Sequence, residues 1–355
     1  MQISEGIISD RVLEDSISNT MRQLPKRLLS IDVFRAITMF FMIFVNDVSG
    51  VKNIPEWIEH VSAQADGLGF ADTIFPIFLF IVGLSLTFAL TKRIKRGDSF
   101  YKVATYILAR SFALLVMGFL HVNLENYNSI AILPKAVWEI FITIAFFLIW
   151  IDYPGAMKKS KKYFLQSIGI LILLLMAWLF KGGQPTAPVG FKPYWWGILG
   201  IIGWSYLVCA FIYLLSRGNF WIQLTAFFLF MIINVAFHTH ALKFSLWVIG
   251  NAASVALTMG GVVISLLYRE LAGKGKDKLL WILFTSVGIA MLIFGLYIRP
   301  YAAGISKIRA TPAWVAICIG LGILIFELLI YFIDIRGKIG LKLSGRPAQV
   351  HLPPT

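Results

Sequence analysis

"ADTIFPIFLFIVGLSLTFAL", residues 71–90, carries one ionisable side chain in twenty positions, Asp72 near its start. Twenty helical residues extend about 30 Å, the thickness of a bilayer's hydrocarbon core. The stretch therefore reads as a membrane-spanning helix. Asp72 suits a helix N-cap. Pro76 falls in the first turns, where a missing N–H is best tolerated. Gly83 should let a second helix approach closely.

The same pattern recurs along the chain. Ten apolar segments stand out, at about 31–49, 72–91, 103–122, 132–151, 163–180, 195–215, 220–237, 246–268, 279–298 and 312–333. Charged residues make up 14% of the 355, against about 25% in soluble domains, and mean hydropathy is +0.79. The predicted fold is all-α: a polytopic membrane helix bundle of about ten transmembrane helices. A cytoplasmic segment (1–30) precedes the membrane domain (31–335). A cytoplasmic tail (336–355) follows, readable as the remnant of a further helix. "KGGQPTAPVGFKPYWW" (181–196) reads as a Pro/Gly hairpin ending in interfacial aromatics. The N-terminus lacks the apolar stretch of a signal peptide.

The net charge of +14 reflects topology. With the N-terminus inside, 22 of the 32 Lys and Arg residues fall on cytoplasmic segments and eight on outer ones. The positive-inside rule then places both termini in the cytoplasm, and no nucleic-acid partner is needed to explain the charge. Cys209 and Cys318 lie in apolar runs, so neither a disulfide framework nor a metal site is indicated. His238 and His240 have H-x-H spacing but no Asp, Glu or Cys nearby in sequence.

Ionisable groups inside spans cost at least about 2.5–3.5 kcal/mol and mark functional candidates. In the first span Asp32 and Arg35 are spaced i,i+3 and should pair. Asn46 lies eleven residues beyond Arg35, on the same helical face and about 16 Å further along the axis. In the third span Arg110 suits a phosphate or a carboxylate, with Glu139 and Glu327 as candidate partners. The loop "GVKNIPEWIEHVSAQADGLGF" (50–70) sets Glu56, Glu59 and Asp66 against Lys52 and carries His60, a side chain suited to accepting a proton. Arg299, Lys307 and Arg309 lie in an outer loop, against the charge bias, where they either attract an anion or flank the spans.

"RLLSIDVFRAITMFFMIFVND", "EWIEH", "DGLGFADTIFPIFLFIVGLSL" and "ARSFALLVMGFLHVN", in that order between residues 27 and 123, resemble the heparan-alpha-glucosaminide N-acetyltransferase-like membrane proteins, in a bacterial-type form. The likeness continues weakly through "ILGIIGWSYL" (198–207) and "ISKIRATPAW" (305–314). Ala36 replaces the Gly usual in that family. The resemblance implies acetyl transfer across the membrane, from cytoplasmic acetyl-CoA to an amino sugar or glycan outside, without a metal. His60 then falls on the catalytic histidine, as base or acetyl carrier, with Asn46 and Asp72 as its catalytic companions. Arg35 and Arg110 would take the phosphates of CoA, and Glu59, Asp66 and Asn123 the acceptor. A bacterial inner membrane is the expected location, and a homodimer is left open. Two other readings stand beside this one: a transporter for a sugar or amino sugar, and a catalytically inactive membrane protein.

Overall fold

The computed structural model describes residues 28–194 and 197–335. The segment before Leu28, Trp195 and Trp196 of the aromatic run, and the tail 336–355 lie outside the described residues. Helices α1 (Leu29–Asp47), α2 (Ala71–Lys95), α3 (Phe100–Asn123), α4 (Lys135–Trp150), α5 (Lys159–Leu179), α6 (Ile198–Leu215), α7 (Phe220–His238), α8 (Ala253–Gly273), α9 (Asp277–Ile298) and α10 (Pro312–Leu329) follow in order. The last continues as a π-helical turn, Ile330–Ile335. The Pro/Gly hairpin forms as β1 (Gly182–Gln184) and β2 (Ala187–Val189), antiparallel with Gln184 opposite Ala187. Among the described residues, nine helices are long and apolar enough to cross a membrane. The chain is an integral membrane protein.

Nine helices begin within about four residues of the sequence reading. The exception is α8, which starts at Ala253 and not near 246. "LWVIGNA" is apolar enough to pass for helix, but Gly250 and Ala252 sit at φ +58° and +67°, in a region closed to a right-handed helix. Asn251 then accepts from the N–H of Ala253 at 3.2 Å, which supplies the helix start with an acceptor.

Contacts divide the described residues into two compact units, one from the segments up to 92 and from 218 onward, the other within 93–217. In the first, α2, α8 and α10 are the inner helices, with 61%, 78% and 56% of their apolar windows buried, against 28%, 28% and 22% for α1, α7 and α9. Lipid is as apolar as leucine, so close backbone packing must hold such helices together. Gly83 and Gly261 provide it. A Cβ on Gly83 would lie 1.9 Å from the carbonyl oxygen of Thr258, and one on Gly261 would lie 2.0 Å from that of Phe80. Hydroxyls add to the α2–α8 seam: Thr87 bonds the buried Ser265, and Arg269 donates to the partly buried Thr91 at 2.7 Å. In the second unit α3 meets α6 where Gly118 faces the backbone of Gly200. There α4 packs on α5, and Trp138 donates its indole N–H to the carbonyl of Met176 at 2.8 Å.

Three connections of the first unit meet at one end. Arg299 and Ile305 bind Asp66, and Asn251 donates to the carbonyls of Arg309 and Ala310. Loops 48–70, 239–252 and 299–311 therefore share one side, as the charge count places them. Loops on one side are separated by an even number of crossings. The helix that falls short of a full span is α4, whose sixteen residues reach only about 24 Å.

Candidate functional site

The site forms where the loop after α1 folds back on the start of α2. The first N–H groups of a helix lack intrahelical acceptors. Here the N–H groups of Phe70 and Ala71 donate to the carbonyls of Trp57 (2.7 Å) and Ile58 (3.1 Å). This docking needs Gly69, because a Cβ there would lie 2.0 Å from the carbonyl oxygen of Glu59. The next residue along the docked strand is His60. Glycine at 69 therefore sets the position of the histidine.

Asp72, in the first turn of α2, has a side chain only 1% exposed. Its Oδ2 accepts from the N–H groups of Val61 (3.0 Å) and Gly69 (3.2 Å). Its Oδ1 lies 2.8 Å from Nδ1 of His60, whose own side chain is 32% exposed. With two backbone donors fixing one oxygen, the other is left to accept from Nδ1–H. That tautomer leaves the Nε2 lone pair free. The N-cap expectation for Asp72 thus becomes a wider role: the carboxylate caps the helix start and also orients the imidazole.

Pro76 extends the construction. Without an N–H it cannot bond the carbonyl four residues back, which belongs to Asp72. The indole N–H of Trp314 donates to that carbonyl at 2.9 Å. The proline thus frees an acceptor in α2 that fastens the first turn of α10. The loop before α10 brings Lys307, whose Nζ lies 3.3 Å from Nδ1 and 3.4 Å from Nε2 of His60. Burial pushes the Lys307 ammonium below its ordinary pKa, while the Asp72 carboxylate opposes that shift.

The remaining candidates are distributed around this centre. Asn46 is exposed in the last turn of α1; no hydrogen bond joins it to His60 among the described residues. Glu59 is partly buried beside His60 in the loop. Asp66 is engaged in the scaffold: Arg299 donates from Nε at 2.9 Å and Ile305 from its N–H at 2.7 Å. The Ile305 N–H holds the Asp66 carboxyl below its ordinary pKa; burial opposes this, and the Arg299 guanidinium adds to the lowering. Asn123, in the second unit, is 3% exposed and spends its amide on the backbone, donating to the carbonyls of Phe119 and Lys192 and accepting from the N–H of Lys192.

Arg35 donates to the hydroxyl of Ser85 at 2.6 Å and lies 3.6 Å from Asp32, the i,i+3 partner read from the sequence. With Lys92 they line a cleft of about 200 Å³ between the start of α1 and the end of α2. Arg110 is in the second unit. It donates to Tyr106 at 3.3 Å and its guanidinium lies 5.5 Å from the ring centroid of Tyr206. Glu327, one of its candidate partners, accepts instead from Thr285 at 2.9 Å. His238 lies 3.1 Å from the carbonyl of Ala310, to which its Nε2–H can donate.

Sequence reasoning named His60 and Asp72 but gave Lys307 only a place among the outer bases, and did not single out Trp314. The available signal was "ISKIRATPAW", a basic stretch on the side of the membrane where such charges are scarce.

Residues 27–133 match the sequence profile described as heparan-alpha-glucosaminide N-acetyltransferase, catalytic. The heparan-alpha-glucosaminide N-acetyltransferase of Homo sapiens is 39% identical over 104 residues, 29% of this chain and 15% of that protein. That of Mus musculus is 35% identical over 119 residues, 34% of this chain and 17% of its own length. The chain thus aligns with about a sixth of each relative. The profile match covers α1 to α3 and contains both His60 and Asp72, whereas Lys307 lies outside it. Over residues 27–133, where the buried carboxylate orients the imidazole, the chain is similar to the catalytic portion of the heparan-alpha-glucosaminide N-acetyltransferases.

Proposed function

We propose that the chain is a transmembrane acetyltransferase that carries an acetyl group from cytoplasmic acetyl-CoA to an amino sugar or glycan on the opposite side. The observation that carries this reading is the His60–Asp72 pair: a buried carboxylate held by two backbone N–H groups, with a partly exposed imidazole on its free oxygen. An amino sugar is protonated at neutral pH and must lose a proton before its nitrogen can attack a thioester. The free Nε2 of His60 suits that task, or the alternative of taking the acetyl group itself. Asp72 fixes the tautomer and stabilises the imidazolium that results.

Asn46 has an amide able to donate to a developing oxyanion at the outer end of α1. Glu59, next to His60, supplies negative charge that attracts a cationic amine. On the cytoplasmic side, Arg35, Lys92 and Ser85 offer donors suited to the phosphates of CoA. Arg110 is a second candidate for that role. Asp66 and Asn123 are assigned to the scaffold, since their polar atoms already serve the backbone and Arg299.

The test is purified chain in proteoliposomes, supplied with radiolabelled acetyl-CoA inside and glucosamine outside. Label on the sugar amine supports the proposal, and His60→Ala should abolish it. Unmodified glucosamine entering the vesicles would favour a transporter. Transfer undiminished in His60→Ala would refute the role given to the histidine.

A further inference from the structure

The loop between α9 and α10 is built to present one side chain. Residues 305–311 close on themselves: Thr311 N–H donates to the carbonyl of Ser306 at 3.1 Å, and Ser306 N–H donates to the Thr311 hydroxyl at 3.0 Å. One end of the turn is fixed by Asp66, which accepts from Ile305 N–H, while Gly67 N–H donates to the Ile305 carbonyl at 3.1 Å. At the other end the Ala310 carbonyl has three donor groups within reach, from Asn234 (3.1 Å), His238 (3.1 Å) and Asn251 (3.3 Å). Ala303 and Ala310 sit at φ +62° and +53°, a conformation that alanine adopts only when its surroundings impose it. So many fixings on a short outer turn need an explanation, and the side chain that leaves its centre toward the site is Lys307.

The position of its Nζ is informative. It lies 3.3 and 3.4 Å from the two ring nitrogens of His60. An atom equidistant from both nitrogens and lying in the ring plane would collide with Cε1, so Nζ sits over the face of the ring. It therefore occupies neither lone-pair direction. Nδ1 remains bonded to Asp72, and the Nε2 lone pair stays open in the plane. The amine takes no part in fixing the tautomer and blocks no reaction at Nε2. It does place up to three N–H donors and a positive charge beside the atom where an acyl group would react.

Resting on the acetyl-transfer reading, we propose that Lys307 is a further catalytic residue, whose ammonium stabilises the oxyanion formed when an acyl carbonyl is attacked at this site. In the step, a nitrogen lone pair, either of Nε2 or of the acceptor amine that His60 deprotonates, forms a bond to the carbonyl carbon. The carbonyl π pair moves to oxygen, which becomes the anion facing Lys307. Collapse restores the carbonyl and expels the thiolate, which takes up a proton. Positive charge aimed at an oxyanion acts strongly in a partly desolvated site.

The experiment compares wild type, Lys307→Met and Lys307→Arg of the full chain in nanodiscs by two readouts. The first is acetyl transfer from acetyl-CoA to glucosamine. Lys307→Met should lower kcat about 10²-fold and change the KM for acetyl-CoA less than about threefold, and Lys307→Arg should lose less than about tenfold. The second is acylation of His60 by diethylpyrocarbonate at pH 8, read by peptide mass spectrometry against the exposed His240 in the same molecule. Lys307→Met should slow the His60 reaction about tenfold or more relative to His240, and Lys307→Arg should slow it less. Equal rates in wild type and Lys307→Met, or a loss confined to KM, overturn the proposal. A wild-type protein that acetylates no sugar refutes the acetyl-transfer reading alone, and the acylation rates still decide the role of Lys307. A misfolded variant reveals itself by similar reactivity at His60 and His240, and Lys307→Arg then carries the comparison.

Discussion

Replacing Asp72 by Asn tests the site with least disturbance, because the amide is isosteric with the carboxylate. Oδ2 of Asp72 faces two backbone donors, the N–H groups of Val61 and Gly69. An amide nitrogen there would oppose donor to donor, so the Asn side chain must turn its oxygen toward them. Its NH₂ then faces Nδ1 of His60, which is forced to accept. The imidazole proton moves to Nε2, and the lone pair needed for base or nucleophile is lost. Every hydrogen bond is kept in number, so the fold should lose only about 1 kcal/mol. Catalysis should fall about 10³- to 10⁴-fold, the effect of fixing a catalytic imidazole in the wrong tautomer, equivalent to about 4–5.5 kcal/mol of barrier. Acetyl transfer to glucosamine measures the rate, and ¹⁵N spectra of histidine-labelled protein report which nitrogen carries the proton. Asp72→Ala is the contrasting case. It strands two backbone donors, at about 1–3 kcal/mol each, and should lower thermal stability clearly. An Asp72→Asn protein with His60 still protonated at Nδ1, or with more than a tenth of wild-type activity, would refute the reasoning.

Gly69→Ala should separate the docked strand from α2, since its Cβ would meet the Glu59 carbonyl at 2.0 Å. A lower melting temperature together with loss of acetyl transfer is expected, and an unaffected protein would show that the docking is dispensable. Asp66 has a depressed folded-state pKa, so its contribution is present above the ordinary carboxylate pKa and is lost as pH falls through the lower folded value. The melting-temperature gap between wild type and Asp66→Asn should therefore be full at neutral pH and close as pH falls below the ordinary carboxylate range. It should stay within about 1 kcal/mol, because this pair is nearly half exposed. Arg35→Ala should raise the KM for acetyl-CoA about tenfold with kcat little changed, as expected when a binding contact shared by ground and transition states is removed. A fall in kcat alone would move Arg35 out of the donor site.

The ten helices were legible because each depends on its own residues. An apolar run long enough to span the hydrocarbon must become helix to satisfy its backbone. Where that logic misplaced an end, at α8, Gly250 and Ala252 had taken left-handed conformations that hydropathy does not register. The Lys and Arg count also put loops 48–70, 239–252 and 299–311 on one side, and contacts bring these three together.

The site was legible only in its members. His60 and Asp72 could be named from a loop histidine, a carboxylate at a helix mouth and a family resemblance. Nothing local states that one oxygen of Asp72 is taken by Val61 and Gly69 while the other meets His60. Pro76 reads as a tolerated proline, but its consequence, a free Asp72 carbonyl, acquires meaning only when Trp314 arrives from 242 positions away. Lys307 reaches His60 across 247 positions, and Asp66 became a clasp for that loop when Arg299 and Ile305 closed on it. The sequence by itself determined the apolar helices and the residue types in the loop after α1, because periodicity, hydropathy and charge are local or additive. Tertiary structure alone decided which nitrogen of His60 is held, that Asp66 is engaged by Arg299 and Ile305, and that a lysine from the far end of the chain stands over the ring. Those depend on contacts between segments whose separation in sequence carries no trace of their distance in space.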